Sequence, residues 1–377
     1  MAFTPRRATL GWAAILALFL IFFWYSRDAQ TQPYRAHGDG HSQGAGYSTP
    51  IGKRLAFYPG TVKPPGSNYS RILVLPKLKS EHVGWISEEL PGLQTAIYEV
   101  DNPSADYRVP RNKGHEAMVY LTYIIDHYED LPDTIIFIHP HKSAWHNNIL
   151  LDLDTPTTIK RLQDDRVGRQ GYMNLRCHLD PGCPNWIHLD RAEVDFDQHI
   201  KPEEQHFSFE LFQAMFPGHR PPPVLSQACC AQFAVSGERV RDNPKNLYEH
   251  LQIWLLETSF EDKDSGRIFE YMWQYLFTRN AEYCPAMNSC YCDGYGICFG
   301  SATKLDDWLK KLKKRELADQ ELDGAQKEKK DKATLDEISN RVWRLNQELN
   351  AEKAEAYKKG EDEKYRALER ERVPNYP

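Results

Sequence analysis

The spacing of apolar residues predicts a domain that opens with a strand, a helix and a second strand. RILVLP, which starts at Arg71, is a short continuous apolar run of the kind that forms a buried strand. HVGWISEEL places Val83, Ile86 and Leu90 on one face of a helix, and TAIYEV at residues 95–100 is a second strand. This order is typical of a parallel sheet with helical crossovers.

The next helix and strand carry the densest group of polar residues in the chain. The helix HEAMVYLTYIIDHY has an apolar stripe made of Met118, Leu121, Ile124 and Ile125. The strand TIIFIH ends at His139, and His141 follows two residues later. Sites in parallel α/β sheets lie at the carboxyl ends of the strands. We therefore predict an α/β domain with a mostly parallel sheet flanked by helices and with a site at this edge.

Composition divides the rest of the chain. Residues 10–25 (LGWAAILALFLIFFWY) are apolar and nearly reach the ~20 residues that a membrane span prefers. The basic tail 1–9 then stays in the cytosol, which makes the protein single-pass type II. Residues 26–69 predict a flexible stem, 70–300 the folded domain and 301–377 a charged helical tail. A cleaved signal peptide is the alternative, and both place the domain in the Golgi or endoplasmic reticulum lumen or at the cell surface.

The charged tail contains a short heptad seam. The apolar residues at heptad spacing are Leu335, Ile338, Val342, Leu345 and Leu349. The seam covers about two heptads, fewer than the three to four that indicate a coiled coil. A lone solvated helix is one interpretation, and a short coiled coil that supports weak self-association is the other.

Charge and length exclude few classes of function. The chain has 377 residues, 41% of them hydrophobic, and a net charge of -6. Acidic residues interleave with the basic ones, so there is no electrostatic case for nucleic acid as a partner. Asn68-Tyr69-Ser70 is a glycosylation sequon, which suits a luminal surface.

The even number of cysteines predicts disulfides. The eight are Cys177, Cys183, Cys229, Cys230, Cys284, Cys290, Cys292 and Cys298. In a secretory protein such a set forms a disulfide framework, although spacing does not give the connectivity. The run CPAMNSCYCDGYGIC predicts a loop held by disulfides, and a zinc knuckle is the alternative. For Cys177 and Cys183 we expect a local pair, or a bond from one of them to Cys229 or Cys230.

A turn before the first long helix is the first candidate binding element. Asn112 and Gly114 precede the helix, and Glu116 lies in its first turn. One interpretation is helix capping, in which Asn112 accepts backbone N–H bonds. The other is a substrate site, because an exposed helix N-terminus can hold a phosphate.

Three histidines follow the third strand. His139, His141 and His146 have a spacing that suits a transition-metal site. The alternative is a set of hydrogen-bonded histidines that line a polar pocket, where His139 or His141 acts as a base. Trp145 is then either a wall for a sugar ring or part of the core.

Carboxylates supply further candidates. Asp152 and Asp154 form a D-x-D triplet whose hard oxygens suit Mn²⁺ or Mg²⁺ bound to a diphosphate. Glu116, Glu257 and Glu270 are candidate catalytic bases. For Glu257 and Glu270 the alternative is that they are solvent-exposed helix residues without a catalytic role.

Three further residues are candidates for substrate binding. Asn174 and Arg176 lie in NLRC and Gln232 lies in CAQF, so each is close to a cysteine that a disulfide would hold in place. Arg176 is suited to clamp a phosphate or carboxylate in a bidentate manner. A surface ion pair is the alternative for this arginine.

Several long segments resemble a known family. NKGHEAMVYLTYIIDHYEDLPDTIIFIHPH, SAWHNN, GYMNLRC and ACCAQFAVSGERV are similar to the fungal and bacterial family called domain of unknown function 3431, over residues 71–300. The resemblance implies no specific chemistry. His115 and Gly237 stand where the family commonly has arginine. If those arginines bind an anionic group, the departure implies that this chain binds it differently or weakly. A looser similarity links the N-x-G-x-[DE] turn, the membrane anchor and the stem to nucleotide-sugar glycosyltransferases of the secretory pathway, and it implies a single Rossmann-like, glycosyltransferase-A-like domain.

Three functions fit these observations. The first is a glycosyltransferase-like enzyme that moves a sugar from a nucleotide donor to a hydroxyl, with the helix N-terminus near Asn112 facing the diphosphate. The second is a metal-dependent hydrolase or oxidoreductase that uses His139, His141 and His146. The third is a non-catalytic, membrane-anchored luminal scaffold.

Overall fold

The computed structural model describes residues 57–183, 187–190 and 206–371. The predicted membrane segment at 10–25 and most of the predicted stem lie outside the described residues. Within those ranges, no helix combines the length and apolar character that crossing a membrane requires.

Eight strands and thirteen α-helices make up the described fold. The strands are β1 (Arg71–Lys77), β2 (Gln94–Glu99), β3 (Thr134–Phe137), β4 (Tyr172–Asn174), β5 (Ile187–His188), β6 (Val224–Gln227), β7 (Phe233–Ser236) and β8 (Glu282–Tyr283). The helices are α1 (Trp85–Glu89), α2 (Glu116–Asp126), α3 (Thr155–Arg161), α4 (Asp164–Gln170), α5 (Phe209–Met215), α6 (Gly237–Arg241), α7 (Lys245–Glu257), α8 (Asp262–Glu270), α9 (Trp273–Thr278), α10 (Met287–Tyr295), α11 (Ala302–Lys327), α12 (Lys332–Gly360) and α13 (Glu363–Glu371).

The main sheet is mixed, so the prediction of a mostly parallel sheet is wrong. Its five strands have the order β2-β1-β3-β7-β4. The predicted strand–helix–strand opening is confirmed, since β1 pairs in parallel with both β2 and β3. β7, however, runs antiparallel to both β3 and β4. A smaller sheet has the order β5-β6-β8. The antiparallel course of β7 depends on pairing with β3 and β4, which lie far earlier in the chain, and local apolar patterning does not report such distant pairing.

Both faces of the main sheet are covered by apolar side chains. Successive strand residues alternate between two cores, with Val74 and Phe137 on one face and Leu73 and Ile136 on the other. The first core includes α2 and α9, and the second includes α3 and α10. Because both faces are buried, the strands read as continuous apolar runs rather than alternating ones.

Residues 57–69, which fall in the predicted stem, contact the domain. The Thr61 backbone N–H donates to Glu238 Oε2 over 2.9 Å, and Lys63 forms a 2.7 Å ion pair with Asp133. The side chain of Arg239 donates to the carbonyl of Tyr58. These bonds connect the segment to Asp133, directly before β3, and to α6.

Four disulfides hold the domain together, as the cysteine count predicted. The pairs are Cys177–Cys290, Cys183–Cys284, Cys229–Cys230 and Cys292–Cys298. The expected local pair of Cys177 and Cys183 is wrong, and so is the alternative bond to Cys229 or Cys230, because each bonds to the late segment that precedes or forms α10. That segment is a helix rather than a loop, since Cys290 and Cys292 lie within α10.

The charged tail forms three helices that pack on the domain. Ile338 and Leu349 of the heptad seam are buried, and the Trp308 indole of α11 donates to the carbonyl of Leu349 over 3.0 Å. The seam therefore faces α11 of the same chain. Self-association through this seam stays a prediction.

Candidate active site at the edge of the main sheet

A cavity of about 400 Å³ lies beyond the carboxyl end of β3. It is bordered by the start of α2, by one face of α8 and by the loop between β6 and β7. Residues that line it include Glu116, His139, Trp145, His146 and Glu270, five of the residues that the sequence singled out.

The predicted turn before α2 places two residues at the cavity. Gly114 has φ +68°, and a Cβ there would lie 2.6 Å from Leu255 Cδ1, so glycine is required. His115 lines the cavity and occupies the N-cap position with φ 50°, without a capping side-chain bond. Asn112 is exposed, three residues before this N-cap, and does not cap the helix. The N-terminal end of α2 therefore borders the cavity through His115 and Glu116 rather than through Asn112.

Glu116 and His139 face each other on the cavity floor. Glu116 Oε2 lies 3.9 Å from His139 Nε2. Burial raises the pKa of the Glu116 carboxyl, while the charges of His115 and Arg267 oppose that rise. Burial, with the neighbouring His141 and His115, lowers the pKa of His139 to about 4. At neutral pH the His139 imidazole is therefore neutral. The raised pKa of Glu116 means that its carboxyl keeps a proton to a higher pH than an ordinary glutamate does.

His146 lies next to His139, whereas His141 does not join them. The rings of His139 and His146 are 5.2 Å apart and perpendicular. Burial and the nearby His139 lower the pKa of His146 to about 4. β3 ends at Phe137, so the strand alternation that would place His139 and His141 on one face does not extend to them. His141 is exposed and lies outside the cavity lining.

Asn174 and Gln232 hold the backbone around the site. Gln232 Oε1 accepts the His139 backbone N–H over 3.1 Å, and its amide donates to Asn147. Asn174 donates to the Ala228 carbonyl over 2.7 Å, which fixes the start of the β6–β7 loop. Both side chains are buried, so their role in this structure is to position the cavity wall.

Arg176 supports the outer wall. Its guanidinium lies 5.4 Å from the centre of the Trp145 ring and donates to the carbonyls of His178 and Asp180. Trp145 itself is 67% exposed, so it is a wall of the cavity rather than part of the core. A partly exposed indole beside a polar cavity offers a flat apolar surface for a ligand ring.

Asp152 and Asp154 do not converge on the cavity. Asp154 caps α3 by accepting the backbone N–H of Thr157, and Asp152 forms a 2.6 Å ion pair with Lys353 of α12. These interactions occupy the two carboxylates as a helix cap and a tie to the C-terminal helices. Glu257 is likewise exposed, away from the cavity lining.

One face of α8 and an adjacent-cysteine disulfide complete the cavity. Lys263, Arg267 and Glu270 recur at helical spacing and all line it. Arg267 pairs with Glu270 over 2.6 Å. The Cys229–Cys230 disulfide also lines the cavity, next to Glu270. Sequence reasoning missed Lys263, Arg267 and this disulfide, although the i, i+4, i+7 spacing of the α8 residues was a usable signal.

These features define a disulfide-rich α/β protein with a polar, partly enclosed cavity at the edge of its main sheet. The family model described as protein of unknown function (DUF3431) matches residues 73–293, and the chain belongs to that family. The family resemblance noted in the sequence is thus confirmed. No curated protein and no solved structure matches the chain.

Proposed function

We propose that the protein is a glycosyltransferase-like enzyme that moves a sugar from a nucleotide donor to a hydroxyl acceptor. The observation that carries the proposal is the facing pair of Glu116 and His139 on the floor of a 400 Å³ cavity. Cavities of this size, with a few convergent polar groups whose pKa values are perturbed, are typical of active sites.

The gap between the two side chains suits one oxygen atom. An oxygen placed between Glu116 Oε2 and His139 Nε2, which are 3.9 Å apart, can lie about 2.8 Å from both. In the proposed reaction this is the acceptor hydroxyl. It gives its proton to His139 Nε2 as it attacks the anomeric carbon, the bond from that carbon to the donor phosphate breaks, and the nucleoside diphosphate leaves. In the fraction of the protein in which Glu116 is ionised, its carboxylate stabilises the imidazolium that forms.

Other residues that line the same cavity suit the donor. Lys263 and Arg267 of α8 provide positive charge for the diphosphate, and the N-terminal end of α2 adds the partial charge of its backbone N–H groups. Trp145 provides an apolar face for the sugar ring. Participation of Mn²⁺ or Mg²⁺ stays a prediction, and the proposed step is not routed through a metal.

A thermal-shift screen tests the proposal. The full chain is screened with a panel of nucleotide sugars, with and without Mn²⁺, together with His139→Gln and the exposed control His82→Gln. We expect one donor to stabilise the wild type and the control, and His139→Gln to lower transfer to a hydroxyl acceptor by about 10²–10⁴-fold because the base is lost. The proposal fails if no nucleotide sugar shifts the melting temperature.

A second candidate is a metal-dependent hydrolase or oxidoreductase. It is favoured by His139 and His146, whose rings are adjacent and whose buried Nε2 atoms have no hydrogen-bond partner within the part of the chain that the structure describes. Neutral imidazoles are good ligands for transition metals. Stoichiometric metal in the purified wild type that is lost in a folded His139→Ala variant would favour this candidate over sugar transfer.

The four disulfides support a location in the secretory pathway, because such bonds persist in oxidising compartments. A type II anchor at residues 10–25 is part of the same proposal. Protease protection of the domain in sealed microsomes is the expected result, and domain digestion without detergent would contradict it.

A further inference from the structure

The wall of the cavity contains a disulfide between adjacent residues. Cys229 and Cys230 lie in the loop between β6 and β7, and both line the cavity. Cys229 is buried, while Cys230 is partly exposed. The bond is therefore next to the space that a small molecule entering the cavity would occupy.

Glu270 of α8 is held against this disulfide. The Cys230 backbone N–H donates to Glu270 Oε1, and Arg267 binds the other carboxylate oxygen over 2.6 Å. Glu270 is 7% exposed. Its carboxylate and the two sulfurs all lie within 4.8 Å of one another. We call these three residues the cavity cluster.

In the disulfide neither sulfur is a thiolate, and the thiolate is the form of cysteine that binds metals. A small-molecule dithiol can reduce the bond by exchange, in which the dithiol becomes a disulfide and its two hydrogens pass to Cys229 and Cys230. The sulfurs, no longer bonded, are then free to separate. Two thiolates and a carboxylate are a ligand set that Zn²⁺ accepts, with a fourth position for water.

We propose that reduction of Cys229–Cys230 converts the cavity cluster into a binding site for Zn²⁺ or a similar thiophilic divalent cation. Both thiols lose their protons on binding, and Glu270 completes the protein ligands. Tetrahedral ligands at ~2.3 Å from zinc lie ~3.8 Å apart. The two sulfurs must therefore move apart after reduction, while the Glu270 oxygen, within 4.8 Å of both, must approach by up to about 1 Å. The proposal does not rest on the proposed sugar transfer.

A second group with the same ligand types provides an internal control. Cys292, Cys298 and Glu369 also have their ligand atoms within 4.8 Å, and we call them the joint cluster. Both its cysteines are fully buried, and its carboxylate accepts hydrogen bonds from Asn288 and Gly300. Because a reductant does not reach buried sulfurs readily, the proposal applies to the cavity cluster alone.

The test is a Zn²⁺ titration of the full chain by isothermal calorimetry. The oxidised protein is compared with protein treated with a phosphine reductant, which adds no competing thiol. We expect one Zn²⁺ to bind after reduction and none before. Glu270→Gln removes a proposed ligand and should weaken binding by more than the roughly 10- to 100-fold that is typical for loss of a residue that only supports a ligand, and Glu369→Gln should leave binding unchanged.

A second measurement covers variants that fail to fold. The reduced wild type is alkylated with iodoacetamide in the presence and absence of Zn²⁺, and the modified cysteines are mapped by mass spectrometry. The proposal requires Zn²⁺ to protect Cys229 and Cys230. Equal Zn²⁺ binding before and after reduction would assign the metal to the histidines instead. Labelling of Cys229 and Cys230 that Zn²⁺ does not change would overturn the proposal.

Discussion

The cavity cluster and the joint cluster contain the same three groups, yet they do different things in the structure. In the cavity cluster, the disulfide and Glu270 border a space of about 400 Å³. In the joint cluster, Glu369 of α13 is 1% exposed and binds Asn288 of α10 and the backbone of Gly300. The first shapes a site, whereas the second fastens the C-terminal helix to the domain.

The difference shows that the surroundings, rather than the residue types, decide what such a group does. A buried carboxylate whose oxygens both accept internal hydrogen bonds contributes to stability, and removing it leaves its donors unsatisfied. Both oxygens of Glu270 also accept hydrogen bonds, but this carboxylate lines a cavity that a ligand can enter. Substitutions in the two regions should therefore separate effects on stability from effects on binding.

The largest expected effect is at Asp293, next to the joint cluster. Its carboxylate is buried and binds Arg166, Arg169 and Arg370. Asp293→Ala leaves these arginines without their shared partner, and breaking a buried ion pair costs about 3–5 kcal/mol. Urea unfolding at pH 7 measures the loss, with the exposed Asp307→Ala as a control. A loss of under about 1 kcal/mol in the free energy of unfolding would show that the docking of the C-terminal helix does not depend on the charge of Asp293.

The same residue predicts how the joint responds to acid. Burial by itself raises the pKa of Asp293, but the three arginines outweigh it and hold that pKa below the ordinary 3.8. A carboxyl whose pKa is lower in the folded state stabilises the fold above its unfolded pKa and loses that contribution as the pH falls through the folded value. We expect α13 to stay docked at pH 5, which proteolysis of the C-terminus at that pH can check.

A smaller effect is expected at Glu369. Glu369→Ala removes the acceptor of the Asn288 amide and the Gly300 N–H, at a cost of about 1–3 kcal/mol in the free energy of unfolding. Ligand binding in the cavity should not change. A variant that lost cavity binding without losing stability would break the comparison between the two clusters.

Mild acid should lower the stability of the fold through His139 in the cavity, at pH values where the ion pairs of Asp293 are still intact. Burial lowers the pKa of His139 to about 4 from 6.5. The unfolded chain takes up this proton below pH 6.5 while the folded chain does not, so stability falls between pH 6.5 and 4. The expected loss at pH 5 is about 2 kcal/mol from this group. Urea unfolding at pH 7 and pH 5 should show a smaller difference for His139→Gln than for wild type or His82→Gln.

The smallest effect on stability is expected at Trp145. The side chain is 67% exposed, so Trp145→Ala should change the free energy of unfolding by under about 0.5 kcal/mol. If the ring is a ligand wall, the same variant should weaken donor binding by about 1 kcal/mol, which calorimetry can measure. Unchanged binding of a donor that the wild type binds would remove Trp145 from the proposed site.

Local patterns predicted the first half of the site well. The turn at Gly114, helix α2 and strand β3 are close in sequence, so their apolar spacing and turn residues sufficed to bring Glu116 and His139 to one edge. His141 and Asp152 were grouped with them because they are near in sequence, and the structure places both on the surface. Proximity along the chain does not report the direction in which a loop turns after the strand ends.

The other half of the site comes from distant parts of the chain. Glu270 was named from its residue type alone, and Lys263, Arg267 and the adjacent cysteines were missed. More than 100 residues separate α8 from His139, and packing of α8 against α2 brings them together. No local signal encodes that contact, because it depends on the complementarity of two buried helix faces.

The sequence by itself determined the class of the domain, the presence of disulfides, the family and the histidine-bearing edge of β3. The family follows from the resemblance of several long segments, and the other three depend on composition or on periodicity over a few turns of chain. The tertiary structure decided the antiparallel course of β7, the pairing of Cys177 and Cys183 with the segment around α10, and the docking of the charged tail. These outcomes depend on which distant surfaces bury each other, and that free energy is shared between segments rather than carried by either one.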